Sequence, residues 1–358
     1  MSDESVPVRE EDAFDVEAVA AWLRKHAEAF RADFDGTPDV TQFPGGASNL
    51  TYQLRYPTRD VILRRPPAGV KAKGAHDMGR EYLIQDELRP LFPYVATMVG
   101  HCTDESVIGS DFYVMEKVDG VILRTPEQLA TLSSEDARRC SDELVDVLAA
   151  IHAVDYEAVG LSEFGRPDGY VERQVRRWGE QWQRSKTREL PAIDELARRL
   201  HAAVPVSPPP TIVHGDYRLD NTMLAPRDLG RIVAVLDWEM ATLGDPLADL
   251  GLFLVYWARE DDGVQGVGAA IDAAAGFATR AEVVDRYAKQ SGRDVSQLDF
   301  YEILASYKLA IILEGIHARY LMGKTVGAGF EHIGNLVEAL VTRALDQASG
   351  SPVAALRG

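Results

Sequence analysis

The segment that most constrains this chain is "VHGDYRLDNTML", residues 213–224, with "AVLDWEMATLGDPLADLG" at 234–251. Apolar runs of strand type lead straight into acidic residues. The loop at 214–221 reads His-Gly-Asp, four residues, then Asn. Further on, "IVAVL" ends in Asp237. A carboxylate at the end of a buried strand is unfavourable unless it is hydrogen-bonded or holds a cation. Phosphoryl transfer needs such a set: one Asp to orient and accept from an acceptor hydroxyl, and an Asn and a second Asp to hold magnesium. Asp216, Asn221 and Asp237 fit those roles. Taken singly, Asp216 and Asp237 could be no more than turn caps, but together with Asn221 they read as a site.

The surroundings of this segment set the fold class. Residues 15–34 carry apolar positions at helical spacing, and a hairpin is expected from "LTYQLRY" and "DVILRR", entered through "PGGASN". Residues 76–91 read as a helix, and "SVIGSDFYVMEKVDG" as a strand ending in a turn at Asp119-Gly120. From about 126 onward helical patterns dominate: 133–154, 168–186, 190–204, 247–258, 280–290 and 297–347. Short strands at 211–238 interrupt them. The expectation is an α+β chain with a small sheet first and a mainly helical region after it. The boundary falls near 118/119: residues 1–118 form the N-terminal part, and 119–358 carry the loop 213–224 and Asp237.

The N-terminal part can be tested against the phosphoryl-transfer idea, which calls for a glycine-containing turn over the phosphates, a strand cation, and an acid on the next helix. Gly45, Gly46 and Ser48 supply the turn, "VILR" at 61–64 supplies Arg64, and Glu81 is its natural partner. Arg65 is adjacent, and strand alternation could turn either arginine inward; Arg64 is preferred.

Composition narrows the partners. With 56 acidic and 38 basic residues the formal charge is −18, which argues against a nucleic-acid or anionic-membrane partner. The two cysteines form no CxxC pair, and no window has the apolar length of a membrane span. A soluble protein of the reducing cytoplasm is expected.

"HGDYRLDN" and "LDWEMATLGDPLADLG", supported by "GGASNLTYQL", "LRRPP", "REY" and "IHAVD", resemble the aminoglycoside phosphotransferase family of small-molecule kinases. Within it, "SVIGSDFYVMEKVDG", "IHAVDYEAVGLSEFG" and "YVERQVRRW" are similar to the kinase-like domain that precedes acyl-CoA dehydrogenase in certain animal fusion proteins. The resemblance implies a two-lobe, protein-kinase-like fold that uses ATP and Mg2+. It makes Asp216 the catalytic Asp, Asn221 and Asp237 the magnesium ligands, and Arg64, paired with Glu81, the α/β-phosphate contact. Backbone groups near Glu116 and Val118 would meet adenine. Asp237 is followed by Trp-Glu, and a helix starts at "GDPLADL", which leaves no room for a phosphorylatable activation loop. The acceptor should therefore be a small molecule: a hydroxyacyl-CoA-type metabolite first, an aminoglycoside second. A catalytically silent nucleotide-binding module is the remaining alternative.

Among other residues, His214 is expected to brace the loop backbone, Asp245 to cap a helix, Asp249 to bond the loop, and His152 to pack in the core. Arg218 could neutralise Asp216 or approach phosphate. Arg173, Arg176 and Arg177, beside Trp178 and Trp182, could meet an anionic acceptor or form a solvated face. His317 and Arg319 are weaker candidates for the acceptor side.

Overall fold

A computed structural model of the protein describes residues 5–44, 49–67, 77–257, 271, 275–323 and 330–358. The chain divides into two compact units. The first comprises residues 1–122, 157–161 and 222–241, and the second 123–156, 162–221 and 242–358. The sequence had grouped 213–237 in one C-terminal region; the division falls between Asn221 and Thr222.

In the first unit, β1 (Val6–Pro7), β2 (Asp39–Gln42), β3 (Leu50–Arg55), β4 (Asp60–Arg65), β5 (Met98–Cys102) and β6 (Phe112–Glu116) form one antiparallel sheet in the order β1-β2-β3-β4-β6-β5. The β3–β4 hairpin has the expected limits except that β3 stops at Arg55, one residue short of the expected Tyr56. Strands β2 and β5 were not anticipated: "DVTQ" is short and crowded by prolines, and "MVGHC" has no alternating pattern. Because side chains alternate across a strand, the sheet has two apolar faces. One carries Tyr52, Leu54, Val61, Leu63, Phe112 and Val114, and packs on Val19 and Leu23 of α1 (Val16–His26). The expected helix at 15–34 stops at His26, and Glu28–Asp33 winds into a tighter 3-10 turn. The other face carries Tyr113 and Met115 and meets Met78 and Tyr82 of α2 (Met78–Leu88), whose first turn is capped by the Asp77 carboxylate accepting from Arg80 N.

The second unit is mainly helical: α3 (Pro126–Leu129), α4 (Ser134–Ala153), α5 (Tyr170–Ser185), α6 (Pro191–Ala202), α7 (Pro246–Tyr256), α8 (Arg280–Ser291), α9 (Leu298–Leu321) and α10 (Ile333–Gly350). The run read as helical over 297–347 is thus two helices, with 324–329 outside the described residues. Helix α9 is the central element, packed by α5, α6, α7 and α10. Its contact with α7 is close enough to need glycine, since a Cβ on Gly251 would lie 2.6 Å from the Tyr301 carbonyl carbon. β7 (Thr211–Val213) pairs with β10 (Thr242–Gly244) in this unit, while β8 (Thr222–Ala225) pairs with β9 (Asp228–Val235) in the first. None of the described helices is long and apolar enough to cross a membrane.

Candidate active site

In the first unit, alternation along β4 decides between the two arginines. Arg65 lies on the α1 face, where its guanidinium donates to Tyr52 Oη at 3.0 Å and to the Asp12 carbonyl at 2.6 Å. Arg64 is registered with Tyr113 on the opposite face and reaches α2, where Nη2 meets Glu81 Oε1 at 3.0 Å. It also stands 3.8 Å from Asp237 Oδ1. Glu81 is 2% exposed, so this is a buried pair. Burial opposes the Arg64 charge, but Glu81, Tyr113, Asp237 and Glu239 outweigh it and hold the guanidinium above its ordinary pKa. For Glu81, burial pushes the carboxyl up against the pull of Arg64. Arg64 Nε is buried with no partner among the described residues, a spare donor beside the pair.

Asp237 follows β9 with φ 65° and ψ 61°, and it is the only non-glycine residue with positive φ among those described. Such backbone is disfavoured for L-residues, with Asp and Asn among the most tolerant. The next residues fix it: Trp238 Nε1 donates to Val235 O at 3.0 Å, Arg80 Nη2 to Ala241 O at 3.1 Å, and Asn49 Nδ2 to Glu239 Oε2 at 3.3 Å. The Asp237 side chain stays 37% exposed. Gly45, Gly46 and Ser48 lie outside the described residues. At the end of β6, Glu116 is already engaged, its N–H with Thr97 O and its carboxylate with Arg59. The Val118 backbone makes no hydrogen bond among the described residues.

In the second unit, Asp216 sits just past β7. Asn221 Nδ2 donates to the Asp216 carbonyl at 2.9 Å and to Oδ2 at 3.0 Å. With its amide nitrogen committed, the Asn221 oxygen is left as a potential ligand. Asp249 on α7 anchors the loop, its carboxylate accepting from His214 N at 2.6 Å and Gly215 N at 2.8 Å. Burial would raise the Asp249 carboxyl, but His152, His214 and the Gly215 N–H reverse that and hold it below the usual range. His214 braces the backbone as expected, Nδ1 accepting from Asp216 N at 3.3 Å. His152 is buried as expected, yet it bridges polar groups, contacting Asp249 at 3.3 Å and Tyr287 Oη at 2.7 Å. Asp245 caps α7 through Leu247 N and receives the Tyr301 hydroxyl at 2.6 Å. Arg218 turns towards Asp216 (3.5 Å) and Asp220 (3.2 Å).

Two residues absent from the sequence expectations complete this half. Tyr256 Oη donates to Asp216 Oδ1 at 3.0 Å, and Lys308 Nζ to the Gly215 carbonyl at 2.9 Å. Burial lowers the Lys308 pKa, opposed by Asp216 and Asp249. Lys308 lines a cavity with Tyr170, Gln174, Trp178, Gly215 and Leu304, and its ammonium lies 5.8 Å from the Trp178 ring centre. Of the α5 cluster, Trp178 lines this cavity and Trp182 is buried. Arg173 bonds the Asp168 and Arg166 carbonyls, and Arg176 faces Glu180. His317 packs against Gly334, and Arg319 is exposed.

The chain belongs to the phosphotransferase enzyme family abbreviated APH, whose model matches residues 39–294. It is 33% identical over 347 residues to acyl-CoA dehydrogenase family member 11 of Rattus norvegicus, a match covering 96% of this chain and 44% of that protein. The chain thus spans less than half the length of the curated relatives of that name. A protein from Ralstonia eutropha JMP134, proposed to be an aminoglycoside phosphotransferase, superposes with a TM-score of 0.80 at 36% identity, over 93% of this chain and 99% of that one. A thermostable aminoglycoside phosphotransferase in complex with AMP-PNP and hygromycin B shares the fold alone, with a TM-score of 0.57 at 14% identity over 91% of this chain and 98% of that one. The architecture is the protein-kinase-like fold of these phosphotransferases, a small antiparallel sheet followed by a mainly helical part.

Proposed function

We propose that the protein moves the γ-phosphoryl group of ATP to a hydroxyl of a small molecule, with a hydroxyacyl-CoA-type metabolite as the preferred acceptor class. The observation that carries this is the Asp216 carboxylate, 25% exposed and presented by a loop whose peptides are fixed on Asp249. Asp216 orients the acceptor hydroxyl and takes its proton as the oxygen attacks phosphorus. Arg64, held by Glu81, contacts the α/β-phosphates and uses its spare Nε donor. Gly45, Gly46 and Ser48 turn donors to phosphate, and the backbone from Glu116 to Val118 meets adenine, with Val118 supplying the unpaired groups.

Asn221 and Asp237 are the magnesium ligands in this scheme. Among the described residues no cluster of three His, Cys, Asp or Glu could hold a metal. Magnesium in phosphoryl transfer is held by one or two protein oxygens and the substrate phosphates, so an amide oxygen and a carboxylate fit it. When bound, it neutralises phosphate charge. Cytoplasmic residence fits Cys102 and Cys140, which are both free and buried.

An aminoglycoside acceptor is favoured by the 36% identity to the Ralstonia protein. Lys308 weighs against it: its ammonium beside Gly215 offsets the Asp249 carboxylate in a cavity otherwise lined largely by apolar and aromatic side chains, which suits an acyl chain bearing polar or anionic groups better than a polycation. The test is a phosphate-transfer screen with Mg-ATP over hydroxyacyl-CoAs and aminoglycosides. Transfer to a hydroxyacyl-CoA should fall by roughly 10²–10⁴ in Asp216→Asn. Equal activity in the variant would remove Asp216 from its role. A nucleotide-induced thermal shift without transfer would leave the silent nucleotide-binding module, and neither transfer nor a shift would sink the kinase reading.

A further inference from the structure

The Asp216 carboxylate has two oxygens, and its own loop occupies one. Oδ2 receives Asn221 Nδ2 and faces Arg218. Oδ1 receives the phenol of Tyr256, the last residue of α7, at 3.0 Å. The ring is held by the Arg218 guanidinium, 4.9 Å from its centre. Beside it lies a small cavity lined by Leu219, Asp220, Phe253 and Trp257. Burial, then the Asp216 charge, push the phenol far above its ordinary pKa, so it stays protonated and donates.

A hydroxyl donating to the open oxygen of the base is the contact an acceptor alcohol must make before transfer. We propose that Tyr256 is an internal stand-in for the acceptor hydroxyl: it occupies Asp216 Oδ1 until the acceptor displaces it, and so keeps water from that position. The inference rests on the role given to Asp216 above. It predicts a particular failure when the phenol oxygen is removed. Water enters the seat and gives a proton to Asp216, while its oxygen bonds the γ-phosphorus. The bond from that phosphorus to the β–γ bridging oxygen breaks, ADP and inorganic phosphate leave, and Asp216 returns the proton to solvent.

Tyr256→Phe keeps the ring beneath Arg218 and removes only the oxygen. With Mg-ATP and no acceptor, its ADP release should exceed wild type by about tenfold or more, the factor corresponding to one lost hydrogen bond to a carboxylate. Adding Asp216→Asn should abolish the excess. A crystal structure of Tyr256→Phe should hold a water within hydrogen-bonding distance of Asp216 Oδ1. Tyr256→Leu, which removes the ring as well, should show the same rise. ADP release unchanged or slower in both variants would overturn the stand-in role and leave Tyr256 as a support for the Asp216 rotamer. If wild type and variants alike show no thermal shift with Mg-AMP-PNP and no ADP release, the phosphotransferase reading fails, and this inference falls with it.

Discussion

Asp249→Asn tests whether the loop that presents Asp216 depends on one buried carboxylate. In the native protein both Asp249 oxygens accept peptide N–H groups, at 2.6 and 2.8 Å, and His152 approaches Oδ2 at 3.3 Å. An asparagine keeps one acceptor oxygen but turns its NH2 towards a second donor. One charge-assisted bond is lost and a buried N–H is stranded, a destabilisation of about 3 kcal/mol. For a domain of ~150–250 residues this lowers Tm by roughly 6–12 °C. The readouts are a melting curve and kcat, which should fall more than acceptor affinity because Asp216 is displaced. The pH dependence has a definite sign. The folded Asp249 pKa is depressed, so its contribution is complete above the ordinary Asp value of ~3.9 and is lost as pH falls through the folded value. Wild type should therefore lose stability more steeply than Asp249→Asn below about pH 4, and the two should stay parallel at neutral pH. A variant that melts within about 2 °C of wild type at pH 7 and retains kcat would refute the idea that Asp249 sets the loop.

Removing Arg64 strands Glu81 in a buried site. Arg64→Met should destabilise the protein by about 3–5 kcal/mol and abolish the thermal shift with Mg-AMP-PNP; the same shift in variant and wild type would argue against phosphate contact. Arg64→Lys should recover much of the stability but less of the nucleotide shift, since a point charge replaces a planar fork. At Asp237 the left-handed backbone and the carboxylate can be separated. Asp237→Gly should be about 1 kcal/mol more stable than Asp237→Ala, with both inactive in phosphate transfer, and equal melting temperatures would show that the backbone there is not strained.

How legible the site was in the sequence depended on how local its geometry is. Asp216 and Asn221 contact each other within one short loop, and Asp237 ends a strand whose apolar run is plain in the sequence. Alternation shows only that Arg64 and Arg65 face opposite ways; Arg64 is preferred for its place at the end of "VILR", and the structure puts Arg64, not Arg65, against Glu81. Tyr256 and Lys308 had no such signal. They reach the loop across 40 and 93 residues of sequence, from helices whose apolar patterns read simply as core. The one clue to Lys308 was a lone cation within "EILASYKLAIILEG", where a buried charge requires a partner. His152 was placed in the core on sequence grounds, but its bridging of Asp249 and Tyr287 depends on the packing of α4 against α8, which no local pattern encodes.

These contacts bear on where control of the activity resides. After Asp237 the chain makes a 3-10 turn at Trp238–Met240, pairs β10 with β7, and starts α7 at Pro246. No segment there is long enough to act as a phosphorylation-dependent activation loop. The Arg64–Glu81 pair and the Asp216–Asn221 bond are made by neighbouring elements within their own units. On the proposed function, such an enzyme is exposed to wasteful ATP hydrolysis whenever the acceptor is missing, because water is always available to the proposed base. Something other than an activation segment must then keep water from Asp216. The Tyr256 hydroxyl is the group bonded to its open oxygen, and on the proposed roles acceptor binding is the event that sets Asp216 free.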